Sequence, residues 1–195
     1  MNKFLSCIIS FLFIYFFIKC TKETDSEASN EIIVPNIIKT ESQIRDEAYK
    51  ADSLYGSIIT LEDYWLVFKK IGETQYGYNF EDQKVEIYTD LTIASLDSTR
   101  DDAAGIAFGS CREGVIKIAI NADYWAEYSF NRRLILMWHE LGHDVLNAAH
   151  IQGERAIMNT PLPDEYDLDI FKREEAELFN GKDLTLFDCD YPYFN

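Results

Sequence analysis

The chain has 195 residues, with 34 Asp and Glu against 18 Lys and Arg and a formal net charge of −16. That length bounds it to one domain with short appendages, and its apolar fraction of 47% is enough to build a core. The acidic balance argues against a nucleic-acid surface, because phosphate binding needs clustered Lys and Arg; most of the carboxylates read as a solvated exterior.

The N-terminus reads as a targeting segment. Lys3 supplies a positive charge, and Phe4 to Ile18 is a nearly continuous apolar run. It is shorter than the roughly twenty residues that span a bilayer and suits the apolar region of an export signal. Cys20 follows, then a polar stretch from Thr21 to Asn30. This order resembles a bacterial lipoprotein signal, which implies that Cys20 carries lipid as the first mature residue. Lys19 departs from the small residue that normally precedes such a cysteine. Ordinary secretion and an uncleaved anchor are the alternatives. The expected organisation is an export signal over 1–20, a flexible tether over 21–40 and a folded domain over 41–195. The chain is then exported, on the periplasmic or cell-surface side, and meets a membrane only through that lipid or signal anchor. Cys7 lies in the signal, so Cys111 and Cys189 remain. In an oxidising compartment they form a disulfide or stay as two thiols. No CxxC spacing points to a cysteine metal site.

Along the domain, Ile44, Ala48, Ala51 and Leu54 recur at helical spacing, which predicts a helix from Glu41 to about Gly56. Leu61 to Ile71 predicts a second helix, broken by Gly72 to Asn79. Val85 to Thr89 alternates as a strand does. Ser98 to Ala103 is turn-like. Gly105 to Gly109 and Val115 to Ile120 read as two strands of a hairpin, turning at Arg112-Glu113-Gly114. Ser129 is a suitable cap for a long helix to about Leu146. The apolar set Leu134, Ile135, Met137, Trp138, Leu141 and Val145 on it is broad enough to predict deep burial. Pro161 and Pro163 mark a loop, and Leu168 to Phe179 is a last helix ended by Asn180-Gly181.

All three histidines fall in the long helix and just beyond it, in His139-Glu140-Leu141-Gly142-His143-Asp144-Val145-Leu146-Asn147-Ala148-Ala149-His150. Residues four apart share a helix face, so His139 and His143 can offer imidazole nitrogens to one metal ion. Glu140 beside them can take a proton from a metal-activated water. Catalytic zinc takes three protein ligands and leaves one position open. His150 is the candidate third ligand, provided the chain turns after His143. Asp144 reads as an exposed carboxylate, with a hydrogen bond to a ligand imidazole as the alternative, and Gly142 as a place where another backbone packs closely or as a merely tolerated glycine.

These residues resemble the metzincin zinc endopeptidases, whose pattern is HExxHxxGxxH with a downstream Met-containing turn. His139, Glu140 and His143 match directly, and the third His is displaced by one residue. Asn147 stands three residues before His150, where the family has its Gly, and Asn is the next most tolerant residue for a left-handed helix end. Ala156-Ile157-Met158-Asn159 is the candidate Met-turn. The segment also resembles small secreted bacterial putative metallopeptidases with HELGHxxLNxxH, and the similarity spans roughly residues 100–180. The resemblance implies an α+β, zincin-like fold: a mixed sheet packed on a central HExxH helix, with a C-terminal helix. It implies a zinc metalloendopeptidase holding one Zn2+ per chain, with a peptide or protein substrate. It also implies that an edge strand of the 105–120 hairpin pairs with extended substrate. Tyr166 is a further candidate, as a stabiliser of the oxyanion. Two alternatives stay open. One is a gluzincin-type hydrolase taking its third ligand from Glu165, Glu174, Glu175 or Glu177. The other is a non-catalytic secreted domain in which zinc is a structural staple.

Overall fold

The computed structural model describes residues 39–80, 83–94, 103–109, 114–152, 156–181 and 186. Cys20, Cys111 and Cys189, and the whole expected signal, lie outside them. No helix among the described residues is long and apolar enough to cross a membrane.

The first helix, α1 (Glu41–Ala51), is opened by a capping box. The Thr40 hydroxyl accepts the Gln43 N–H at 3.2 Å, and the Gln43 side chain accepts the Thr40 N–H at 2.9 Å. It ends at Asp52, four residues before the expected limit. The Asp52 carboxylate accepts the Leu54 N–H and turns the chain into a 3-10 segment, Tyr55–Ser57. Helix α2 (Leu61–Gln75) passes through the expected break at Gly72. Gly72 is helical and buried because two rings, Phe80 and Phe179, pack where a side chain would stand. The helix stops at Gly77, which takes a positive φ of 75°.

Three strands form one mixed sheet in the order β1-β3-β2. β1 (Lys84–Tyr88) pairs in parallel with β3 (Val115–Ile120), from Lys84↔Val115 to Tyr88↔Ala119. β2 (Gly105–Ala107) pairs antiparallel with β3, from Gly105↔Ile120 to Ala107↔Ile118. β2 and β3 are the expected antiparallel pair, with β2 at the sheet edge and two residues shorter than expected; Arg112 and Glu113 of the expected turn lie outside the described residues. Alternation sends Ile116, Ile118 and Ile120 to the main core. Ala119 faces a smaller cluster with Ile106, Leu91 and Phe108.

A short helix, α3 (Ala122–Glu127), follows β3 and is capped by Asn121; its sequence carries too few turns for a periodic signal. The central helix α4 (Phe130–Leu146) starts at Ser129 as expected, the Ser129 hydroxyl accepting the Arg132 N–H at 3.2 Å. A carboxylate, Asp46 of α1, accepts the N–H groups of Phe130 and Asn131, each at 3.0 Å. Both contacts satisfy donors that a helix N-terminus leaves unpaired. Leu134, Ile135, Leu136, Met137, Trp138 and Leu141 are fully buried. The last helix, α5 (Leu168–Phe179), runs over the expected residues and ends at Asn180, with Gly181 at φ 63°. Its Phe171 lies edge-on to Trp138 of α4 and Tyr55, with ring centroids 5.8 and 5.5 Å away. The architecture is α+β and zincin-like: a mixed sheet packed on the HExxH helix, with a C-terminal helix.

Candidate metal centre

His139 and His143 sit one turn apart on α4, and both are buried. Their Nδ1 atoms point at main-chain carbonyls: His139 at Ile157 O, 2.7 Å away, and His143 at Ala148 O, 2.5 Å away. A carbonyl only accepts, so each Nδ1 carries the hydrogen and each Nε2 presents a bare lone pair. The third histidine arrives by a turn. Asn147 takes the left-handed conformation (φ 51°, ψ 28°) and ends α4, and the Ala148 N–H closes back on Gly142 O at 3.0 Å. This is the Asn-for-Gly turn the sequence predicted, with the helix one residue longer. The reversal brings His150 Nε2 to 3.1 Å from His139 Nε2 and 3.0 Å from His143 Nε2, and the latter two atoms are 3.0 Å apart.

Neutral His139 and His143 cannot hydrogen-bond each other through Nε2, because neither has a hydrogen there. Protonating either ring is also unfavourable. Burial, then the neighbouring His143, pushes His139 well below its ordinary pKa. Burial, partly opposed by the Ala148 carbonyl, brings His143 down to about 4. Three imidazole Nε2 atoms therefore converge, and those of His139 and His143 keep their lone pairs available near neutral pH. Four-coordinate zinc, with bonds of about 2.0–2.1 Å, requires ligand nitrogens about 3.3 Å apart. The observed triangle of 3.0–3.1 Å fits that requirement closely. Among the described residues, His139, His143 and His150 are the group placed to hold a metal ion, and His150 is its exposed member.

Glu140 is buried, and its carboxylate lies along β2. A β-carbon at Gly105 would stand 2.8 Å from Glu140 Oε1. Burial pushes its pKa up to about 8, with the Ala107 backbone N–H opposing and Asp144 adding to the rise. Below the ligand pair, Asn159 N–H closes a turn on Ala156 O at 3.0 Å, and Ile151 N–H bonds Met158 O at 3.0 Å. That turn delivers the Ile157 carbonyl to His139 and buries Met158. A β-carbon at residue 142 would lie 2.5 Å from the Met158 sulfur, so the close approach at Gly142 is by a side chain and not by a backbone.

Three other expectations change. Asp144 is buried and turned to the sheet, its Oδ2 accepting the Lys117 N–H at 2.5 Å. Tyr166 is clamped by its main chain to Asn131: its N–H donates to Asn131 Oδ1 at 3.1 Å, and its carbonyl accepts from Asn131 Nδ2 at 2.5 Å and from the Tyr49 hydroxyl at 3.0 Å. Asn131 precedes His139 by eight residues, about 12 Å of helix rise, so the main chain of Tyr166 is anchored at the far end of α4. Three of the four downstream glutamates are engaged elsewhere, and the fourth, Glu177, is exposed. Glu175 accepts from Tyr55 and Trp138, Glu174 from Arg173, and Glu165 from Ser42, Ser129 and Arg45. Sequence reading could not find the Ile157 and Ala148 carbonyls or the Gly105 approach, since backbone groups carry no residue signature.

The chain matches no protein-family profile, and no characterised protein or solved structure is similar to it at a significant level. The class therefore rests on the site itself. A buried His139-Glu140-x-x-His143 pair on a helix, completed by His150, is a zincin-like metal-binding arrangement.

Proposed function

We propose that this chain is a zinc-dependent peptide-bond hydrolase of the metzincin type, holding one zinc ion through His139, His143 and His150. The observation that carries the reading is the triangle of Nε2 atoms, two of them fixed as lone-pair donors by carbonyls at Nδ1. Zinc bound there supplies Lewis acidity and lowers the pKa of a water towards neutrality. The chain's own work is done mainly by Glu140. Its carboxylate, which would be ionised where a zinc charge beside it offsets the effect of burial, takes a proton from the attacking water and returns it to the departing amine nitrogen. Packing against Gly105 fixes where that carboxylate stands, and burial of Glu140 and both helix histidines keeps bulk water away. The Met158 turn beneath Gly142 and the edge position of β2 support the metzincin form over the gluzincin one, as does the engagement of Glu174 and Glu175 elsewhere. β2 is the strand offered to an extended peptide. The resemblance of residues 1–20 to a lipoprotein signal supports an activity outside the cytoplasm, with Cys20 as the lipid-bearing residue. Loss of labelled palmitate incorporation in Cys20→Ser tests that placement.

The test of the site is zinc content together with cleavage of fluorescein-labelled casein. Wild type should hold one zinc per chain and cleave. Glu140→Gln should keep the zinc and lose cleavage, and His150→Ala should lose both. A folded wild type that takes up no zinc would refute the hydrolase and the structural-zinc readings alike. Zinc retained with equal cleavage in Glu140→Gln would refute the mechanism.

A further inference from the structure

The loop that carries His150 is held by more than its own turn. Ala148 is fully buried, its N–H closes on Gly142 O, and its carbonyl faces His143 Nδ1. Ile151 N–H donates to Met158 O, and Ile151 is bridged in parallel to Asn159. A second bridge comes from beyond α5: Leu186 pairs antiparallel with Ala148. The chain that leaves α5 therefore returns beside the metal ligands. The end of α5 already lies near that turn, since Leu178 Cδ1 is 3.5 Å from where a β-carbon at residue 142 would stand.

Of the three ligands, His150 has most need of such support. His139 and His143 ride on α4, are buried, and have their Nδ1 atoms fixed by carbonyls. His150 lies outside the helix, beyond the left-handed Asn147, and is the exposed member of the group. Its Nε2 must still stay 3.0–3.1 Å from the other two. Every unpaired backbone residue before it adds freedom that metal binding must remove. Pairing at Ala148 removes that freedom midway between the turn and the ligand. It also steadies the carbonyl that faces His143 Nδ1. The Leu186 side chain is 62% exposed, so burial does little to place this residue; the main-chain pairing does.

We propose that Leu186 is a positioning residue of the metal centre: its main chain, bridged to Ala148, holds the ligand loop so that His150 meets the metal with His139 and His143. This rests on the zinc reading of the site and needs no assumption about hydrolysis. The experiment compares three forms of the full chain: wild type, Leu186→Pro/Phe187→Pro and Leu186→Ala/Phe187→Ala. On this side an antiparallel bridge takes its donor from the paired residue or from the next one. The proline pair removes both donors, and the alanine pair keeps both. Zinc affinity is measured by competition with a chelator. The visible absorption of the Co2+-loaded chain reports the coordination geometry, and urea unfolding of the metal-free chain reports stability. The proline pair should bind zinc about 10–100-fold more weakly and alter the Co2+ absorption, with the metal-free urea midpoint unchanged. The alanine pair should match wild type in all three. Wild-type zinc affinity in the proline pair would overturn the proposal. So would an equal loss in the alanine pair, which would assign the effect to side chains. A lower metal-free midpoint with an unchanged Co2+ spectrum is what a merely structural contact gives, and would overturn it too. Wild type taking up neither zinc nor Co2+ would overturn the metal reading itself, and this inference with it.

Discussion

Replacing Glu175 by Gln should remove a loss of stability that wild type suffers as pH rises from about 4.5 to about 8. Glu175 lies on α5, 3% exposed, and its Oε2 accepts the Tyr55 hydroxyl at 3.0 Å and the Trp138 Nε1–H at 2.9 Å. Burial pushes its carboxyl from 4.5 up to about 7, against the lowering effect of those two hydrogen bonds and of Lys172, while Asp52 adds to the rise. The folded chain therefore binds this proton more tightly than the unfolded chain. The resulting stabilisation is present in full below pH 4.5 and is lost as pH rises through about 7. At about 1.4 kcal/mol per unit, the shift corresponds to about 3 kcal/mol. Gln keeps an oxygen for both donors and does not titrate, so the wild-type-minus-variant difference isolates the carboxyl. Urea unfolding followed by tryptophan fluorescence, in identical buffers from about pH 4.5 to about pH 8, should show wild type losing about 3 kcal/mol relative to Glu175→Gln. A difference that stays flat within about 0.5 kcal/mol over that range would refute the reasoning.

Other outcomes follow from the backbone and from close approaches. Asn147→Gly should keep the left-handed turn and change stability by less than about 1 kcal/mol. Asn147→Val is strained at φ 51° and should cost about 1–2 kcal/mol and weaken zinc binding through His150, as thermal denaturation and a zinc titration would show. Gly142→Ala drives a β-carbon into the Met158 sulfur and should cost about 1–3 kcal/mol. Because the two share one contact, Met158→Ala should relieve part of that cost, which a double-mutant cycle would read as non-additivity. Gly72→Ala meets the rings of Phe80 and Phe179 and should lower the urea midpoint by an amount corresponding to about 1–3 kcal/mol.

Much of the architecture was legible because it is written in local rules. Ser129 caps α4, apolar spacing buries its core face, and Asn180-Gly181 ends α5. The alternation of Val115 to Ile120 marked β3, and Asn147, three residues before His150, is a residue type that takes a left-handed turn with little strain. These signals act within a few residues, so they survive without knowledge of the fold.

The chain order alone thus determined the helix that carries His139, Glu140 and His143, the turn that returns His150, and the antiparallel strand pair beside them. What required the tertiary structure was every case in which a distant segment overrode a local preference. Gly72 reads as a helix breaker, but rings from residues 80 and 179 hold it inside α2. Asp144 reads as a surface carboxylate, but a strand N–H from residue 117 receives it inside the fold. Tyr166 reads as a neighbour of the site, but Asn131 anchors its main chain at the other end of the helix. Two lone pairs aim at one point because the carbonyls of Ile157 and Ala148 hold the opposite nitrogens. A buried polar group is tolerated only where a partner meets it, and which partner does so is decided by how the elements pack, not by the residues on either side.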